Sequence, residues 1–464
     1  CSGRHRCASR VSSASPPPSR PPSPGPRCPA PGGGELPDRF AVPRVAHFFK
    51  ERPASKPRNL TLLQSVFEGR PPVLLFPYTA ACGAEQRPLD RAVPVDASAP
   101  RLFYSHTNKV HEYNAVVNIM RQGGLHLIKQ DIPRWSILWS GHPSPDLLRA
   151  LLPEQRTNHF PGSRHLGRKD LMWRHISRQQ RRFGAEYMIT PLSFVLPKAA
   201  VAWEATRERQ PDLLWIWKPW GQSCGRGIRL VGPDVPIEEA QEMHKKRGVA
   251  QHYIPNPMLI DGYKYDLRVY VVVLSYDPLK VYLNDEGLVR MATERYSPAA
   301  DTLDMRTMHL TNYSVNKASP QFVQNQDGRS CPAAGGGRAG DPGAQQRASK
   351  WSFAELRAHF ERQELDFDAT LEAIGDVVIK ALIAVEPQLR AEWCTAVGEE
   401  DEGWAARGGG SAHRASCFEM YGFDVMIDDR LKPWLLEVNV CPSLSSGSPL
   451  DKRIKTQLVA DTLT

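Results

Sequence analysis

Two stretches near the end of the chain, Cys417–Ile427 and Pro433–Val440, alternate apolar and polar side chains around Asp428-Asp429-Arg430, and this pattern constrains the fold more than any other. Alternation on both sides of a short polar turn predicts a β-hairpin, with successive side chains on opposite faces. On the second strand Trp434, Leu436, Val438 and Val440 are expected on one face and Glu437 and Asn439 on the other. On the first, Tyr421, Phe423, Val425 and Ile427 oppose Asp424. Three oxygen-bearing side chains are thus expected to converge on otherwise apolar strands. Oxygen ligands of this kind suit Mg²⁺, which keeps phosphates and waters in its remaining positions. A half-exposed strand shows the same alternation, so the pattern alone supports both readings equally.

Three further elements lie upstream. Trp215-Ile216-Trp217-Lys218-Pro219 reads as a strand ending in a lysine, followed by Trp220-Gly221-Gln222-Ser223-Cys224-Gly225-Arg226-Gly227-Ile228 and a second strand. Glycines let backbone N–H groups close on phosphate oxygens, and Lys218 would neutralise phosphate charge. The loop is not a Walker motif, and a glycine-rich turn is more often a plain hairpin. Tyr263–Val271 places Lys264, Asp266 and Arg268 on one face of a strand whose other face is apolar, either a surface ladder or a polar floor. His309–Lys317 is a compact polar cluster able to orient a substrate, although Asn, Thr and Ser are also ordinary loop residues.

Composition bounds the rest. Residues 1–34 are Pro, Ser, Gly and Arg with almost nothing to bury, and 35–100 stay Pro-rich, so organised sequence is expected from Arg101. Strand signals at Leu102–Tyr104 and Ser136–Trp139 flank a helical stretch at His111–Gln122, which predicts a small α/β unit. A helix is predicted over 169–183, with Met172, Ile176 and Phe183 on one face and Arg174, Arg178 and Arg181 on another. Helices are also predicted at 351–363 and 368–392, separated from their neighbours by low-complexity loops near 318–349 and 396–414. Of the net charge of +9, residues 1–100 carry most, with 14 Lys and Arg against 7 Asp and Glu, and no aromatic-and-basic or zinc pattern accompanies it; nucleic acid is not an expected partner. No apolar run approaches membrane-spanning length. Nine scattered cysteines without a CxxC pair, and no hydrophobic leader, predict reduced thiols in a cytoplasmic protein.

The order of these elements resembles the tubulin tyrosine ligase-like enzymes, and within them the polyglutamylases. The resemblance runs from Arg101 to Thr464 and rests on Asn158-His159-Phe160-Pro161-Gly162, Gly167-Arg168-Lys169-Asp170, Asp266-Leu267-Arg268, Met308–Lys317 and Leu435-Leu436-Glu437-Val438-Asn439. It implies an α/β ATP-grasp fold: residues 1–100 a largely disordered region, 101–200 a small N-terminal α/β domain, 201–290 a central lobe and 291–464 a C-terminal lobe, with ATP between the last two. By resemblance Lys218 and Gly225, Arg226, Gly227 and Ile228 hold ATP phosphates, Gln251, His252, Tyr253 and Ile254 form the adenine-binding linker, and Lys264, Tyr265, Asp266, Thr311 and Asn312 complete the nucleotide site. Asp424, Glu437 and Asn439 match the ligands of two Mg²⁺ ions. Arg290, Tyr313, Ser314 and Lys350, the last opening the helix beyond the low-complexity loop, match residues that engage the incoming amino acid.

The implied activity joins free glutamate to side-chain carboxylates of acidic tubulin tails. The acceptor is first phosphorylated and the amine then displaces phosphate, with Lys218, Arg226 and Arg290 supplying catalytic cations. A monomer on cytoplasmic microtubules, the cilium or the basal body is implied. Cys224 departs from the family, whose polyglutamylases place an Arg there that contacts ATP and the acceptor. That departure keeps open a weakened ligase serving as a tubulin-tail binding module. Ligation of glycine is a third reading, against which Arg290 stands because its fork can pair a donor side-chain carboxylate.

Overall fold

The computed structural model describes residues 60–464, apart from 67, 70, 79–91, 96–101, 107–110, 129–133, 223–224, 234, 236–241, 244, 326–347 and 398–415. The expectations for residues 1–59, for Cys224 and for most of the two low-complexity loops therefore lie outside the described residues. The described chain is a mixed α/β structure with four sheets.

The predicted small α/β unit is present. Phe103–His106 lies between His126–Leu127 and Ile137–Trp139, with Arg156–Thr157 beyond, all parallel. Parallel neighbours need a crossover, supplied between the first pair by helix Asn114–Gln122. That helix buries Val116, Ile119 and Met120 against the closing helix Pro449–Leu463, whose Ile454, Leu458 and Val459 share the same core. A short antiparallel sheet of Leu62–Leu63, Val73–Leu74 and Ala92–Val93 precedes this unit.

Two antiparallel sheets hold most of the predicted site residues. In the first, Trp215–Pro219 lies between Arg229–Val231 and Gly248–His252, and Ser193–Leu196 closes the far edge. In the second, the long strand Tyr263–Tyr276 pairs with Leu288–Arg295 on one side and Glu419–Ile427 on the other. Lys350–Ser352 and Pro433–Asn439 form the edges, and Leu259–Ile260 and Leu279–Leu283 add to the long strand. The strand Leu288–Arg295 runs through residue 290, so the same sheet contains residues from both sides of that position. Glu419–Ile427 is buried at every residue, as a strand covered on both faces must be.

Helices then cover the second sheet. The helix Phe367–Val397, longer than the predicted 368–392, packs Val377, Val378, Leu382 and Val385 into the main core. The helix expected at 169–183 spans Lys169–Phe183, with Met172 and Ile176 buried as predicted. Phe183 is not part of that face: it sits 48% exposed at the helix end, stacked on Tyr187 with Arg182 over its ring. The helical period carries it inward, but the chain leaves the helix at Gly184 and the ring stays half exposed. Lys350 does not open a helix either. It begins the edge strand Lys350–Ser352, and the helix starts at Phe353 behind a capping box formed by Ser352 and Glu355. Among the described residues no helix is long and apolar enough to cross a membrane.

Candidate active site between two sheets

The hairpin read from alternation forms, with Glu419–Ile427 and Pro433–Asn439 joined by a turn in which Leu431 takes positive φ. Its register sets Asp424 opposite Glu437 and Gly422 opposite Asn439, so the three oxygen-bearing side chains lie together as expected. The alternation is broken at one point. A bulge after Asp424 pairs Val425 with Leu435, leaving Leu436 as the extra residue on its strand. Leu435 and Val438 therefore fill the core, while Leu436, predicted opposite Glu437, lines the same cleft as Glu437.

The long strand then builds a charged row across the sheet. Arg268 pairs in register with Asp424, and Asp266 with Arg290, itself opposite Lys350. Arg268 donates to both oxygens of Asp424 at 2.6 and 3.2 Å. Arg290 donates to both oxygens of Asp266 at 2.7 and 2.6 Å and lies 2.9 Å from Asp424. Thr311 Oγ1 also donates to Asp266. Burial works against the charge on Asp424, but the guanidiniums of Arg268 and Arg290 outweigh it and hold its carboxyl well below the usual carboxylate range. Two carboxylates, one hydroxyl and two guanidiniums thus form a closed buried network. The fork of Arg290, expected to grip a donor carboxylate, is occupied by Asp266.

The two sheets border an open cleft. Of the predicted residues it brings together Lys218, Ile228, Gln251, His252, Tyr253, Ile254, Lys264, Asp266, Thr311, Asn312, Asp424 and Glu437. Lys218 donates to Gln251 at 2.6 Å, and Lys264 to the Tyr253 hydroxyl at 2.6 Å with its ammonium 3.9 Å from that ring's centre. Burial lowers the pKa of Lys218 to about 8 despite Glu437, and that of Lys264 to about 7 despite Asp266. Two buried ammonium groups disfavoured in their charged form are suited to receiving a polyanion. Isoleucines 216, 228 and 254 give the same cleft apolar walls, which suits a flat ring.

Other predicted residues stand elsewhere. Gly225 and Gly227 take φ of +71° and +65°, the left-handed region glycine tolerates, and a Cβ on Gly225 would meet Asn312 Oδ1 at 3.0 Å. Arg226 between them is exposed and does not line the cleft. Tyr265 turns away from Lys264 and Asp266 into the main core, because its neighbours in the strand take the cleft face. Asn439 lies beside Glu437, its amide 3.5 Å from Oε1, but is not among the residues lining the cleft. Tyr313 and Lys350 form a separate group, the ammonium 4.0 Å over the ring and paired to Asp451 at 2.8 Å. Ser314 follows Tyr313 on the short helix Tyr313–Asn316.

Four contributors were given no individual role by the sequence reading. His309 lines the cleft and shares a hydrogen bond with Tyr253, burial and then Lys264 taking its pKa down to about 4. Arg268 clamps Asp424, Arg306 donates to the Gly225 carbonyl, and Lys169 pairs with Glu437 at 2.7 Å. Lys169, Arg268 and His309 stood within recognised motifs. What they touch depends on residues far away in sequence, and nothing local reports it.

A cleft walled by two sheets, lined by two buried lysines and beside three oxygen donors on one hairpin, is the setting the sequence motifs share, and the chain belongs to the tubulin-tyrosine ligase family, whose model matches residues 148–464. Among its relatives, the human tubulin monoglutamylase TTLL4 is 38% identical over 335 residues, and the human tubulin polyglutamylase TTLL5 is 38% identical over 353. These alignments cover 71% and 75% of this chain but 25% of each relative, so the chain spans about a quarter of their length. The Caenorhabditis elegans tubulin polyglutamylase ttll-4 is 36% identical over 325 residues, 70% of this chain and 48% of the relative.

Proposed function

We propose that the protein is an ATP-dependent polyglutamylase that adds glutamate, through an isopeptide bond, to side-chain carboxylates of acidic tubulin tails. The observation that carries this reading is the convergence of Lys218, Lys264, Asp266, Asp424 and Glu437 on one cleft between two sheets. We take those sheets as the central and C-terminal lobes of an ATP-grasp fold, with the parallel-sheet unit as the small N-terminal domain.

The donor set fits a nucleotide with magnesium. Asp424, Glu437 and Asn439 offer only oxygen to a hard cation, and they are adjacent across one hairpin. Magnesium bound there supplies Lewis-acid stabilisation of phosphate charge. Lys218 and Lys264 neutralise phosphate oxygens, and the His252–Ile254 linker with Ile216 and Ile228 packs the base. Arg268 and Arg290 keep Asp424 ionised, ready to coordinate. A carboxylate oxygen of the acceptor attacks the γ-phosphorus as the bond to ADP breaks. The amine of glutamate then attacks the acyl phosphate carbon, losing a proton and expelling inorganic phosphate. Arg290 exchanges its partner Asp266 for the donor's carboxylate, with Lys350 beside it in register, and Tyr313 and Ser314 complete that donor site. We place the protein on cytoplasmic microtubules as a monomer.

The test is transfer itself. Purified chain, Mg-ATP and tubulin are incubated with labelled glutamate or labelled glycine, and label on tubulin is followed by mass spectrometry beside a Glu437→Gln control. Glutamate transfer abolished in the control is the expected result. Glycine transfer would move the protein to the sister activity, and nucleotide binding without transfer of either would leave a tubulin-tail binding module.

A further inference from the structure

Among the described residues, a further group of side chains able to ligate a metal gathers apart from the cleft. His142, His159 and Glu419 each offer a ligand atom, these atoms lie within 4.8 Å of one another, and none of the three residues lines the cleft. They come from three parts of the fold. His142 lies just beyond the parallel strand Ile137–Trp139, His159 follows the strand Arg156–Thr157, and Glu419 opens the strand that bears Asp424. A bridge between Thr157 and Cys417 and a hydrogen bond of 2.7 Å from the Ser140 N–H to Asn158 Oδ1 draw these segments together. His159 and Glu419 are buried and His142 is exposed, so the group is closed from within and meets solvent on one side. The outward atoms are already held. Glu419 Oε2 accepts from the Phe160 N–H at 3.0 Å and the Tyr421 hydroxyl at 2.9 Å, while Oε1 faces His159 Nδ1 at 2.7 Å. His159 Nε2 lies 3.7 Å from Cys441 Sγ, and His142 Nδ1 lies 3.3 Å from Ser163 Oγ. Each ring is thus anchored through one nitrogen and keeps the other for a ligand bond.

We propose that His142, His159 and Glu419 bind a single transition-metal ion, Zn²⁺ by the chemistry of the donors, which ties the parallel-sheet unit to the strand bearing Asp424. Two imidazoles and one carboxylate are a zinc donor set that leaves a fourth position for water. Imidazole nitrogen selects against Mg²⁺, the ion suited to the all-oxygen set of the hairpin, so the two sites take different metals. Zinc bonds of about 2.0–2.2 Å place neighbouring ligand atoms about 3.3–3.5 Å apart in a tetrahedron. The exposed His142 swings in to meet that spacing, and Glu419 and His159 part slightly. The partners of the outward atoms hold the donors in orientation, as ligating histidines and carboxylates require. The pocket also favours positive charge. Burial disfavours a charged His159, yet Glu419 raises its pKa to about 10, while burial lowers that of His142 and keeps its lone pair available. On binding, the metal replaces the proton between His159 Nδ1 and Glu419 Oε1, and that proton passes to solvent. The site is independent of the ligase reading above.

The experiment uses the full chain, stripped of metal and titrated with Zn²⁺ in excess Mg²⁺ against a chromophoric chelator. The parent is expected to take up a single zinc with micromolar or tighter affinity, and Co²⁺ in its place should give the intense visible bands of a four-coordinate site. His142→Ala, at an exposed position, should weaken zinc at least about tenfold, remove those bands and leave affinity for a fluorescent ATP analogue unchanged. Glu419→Gln should weaken zinc by as much. Zinc should also raise the Tm of the parent and not that of His142→Ala, because only a bound ligand shifts the unfolding equilibrium. No zinc uptake by the parent, or equal uptake by the parent and His142→Ala, would overturn the site while leaving the ligase reading in place. Loss of the circular dichroism of the folded chain in Glu419→Gln would mark a folding defect in that variant, and His142→Ala then decides.

Discussion

Arg268→Met isolates the clamp on Asp424. Methionine keeps much of the apolar stem of arginine and removes its charge. Arg268 and Asp424 have side chains only 13% and 3% exposed, and they meet through two hydrogen bonds. Unit charges about 4 Å apart attract by about 4 kcal/mol at an effective dielectric near 20, and leaving a buried charge wholly unpaired costs about 3–5 kcal/mol. Arg290 still faces Asp424 at 2.9 Å in the variant, so the expected loss is smaller, about 2–3 kcal/mol. Asp424→Asn should cost more, because it leaves two buried guanidiniums with one fewer carboxylate. The double variant should be no less stable than Asp424→Asn alone, which gives a coupling energy of at least about 2 kcal/mol. Equilibrium urea unfolding of the parent, both single variants and the double variant closes the cycle. Single costs that add to within about 0.5 kcal/mol would refute the clamp, since independent sites behave that way.

Nucleotide affinity should weaken as pH rises. The free protein holds Lys218 near pKa 8 and Lys264 near 7, whereas phosphate binding favours the charged form. Each lysine must then take up a proton on binding above its free pKa, and between pH 7.5 and 9.5 the calorimetric Kd for ATP should rise by roughly tenfold or more; a flat profile would show that neither ammonium contacts the phosphates. Gly167 is packed so closely that a Cβ there would fall 2.6 Å from Val440 Cγ1, just beyond Asn439. Gly167→Ala should therefore destabilise by about 1–3 kcal/mol and Val440→Ala should recover part of the loss, measured by the same unfolding assay; no recovery would place the strain elsewhere.

Sequence by itself determined the elements whose signals are local. The helix at 169–183 follows from its period, the hairpin from two alternating runs about a short turn, and the glycine loop from residues able to take positive φ. The motif residues that line the cleft were legible for the same reason: Lys218, Lys264, Asp266, Asp424 and Glu437 each sit at a fixed phase of a readable strand. Strand phase fails where pairing with another strand changes it. Leu436 crosses to the cleft face because a bulge inserts it, and Lys350 belongs to a strand because Leu288–Arg295 offers an edge to pair with. Partnerships were decided only by the tertiary structure. Arg268 and Asp424 are 156 residues apart, and Arg290 spends its fork on Asp266 because adjacent strands bring them into register. Gly167–Asp170 and the turn after Trp215–Pro219 line one cleft although some fifty residues separate them in sequence. Local side-chain periodicity encodes which face a residue takes; what waits on that face is set by strand register and packing, which no stretch of sequence carries alone.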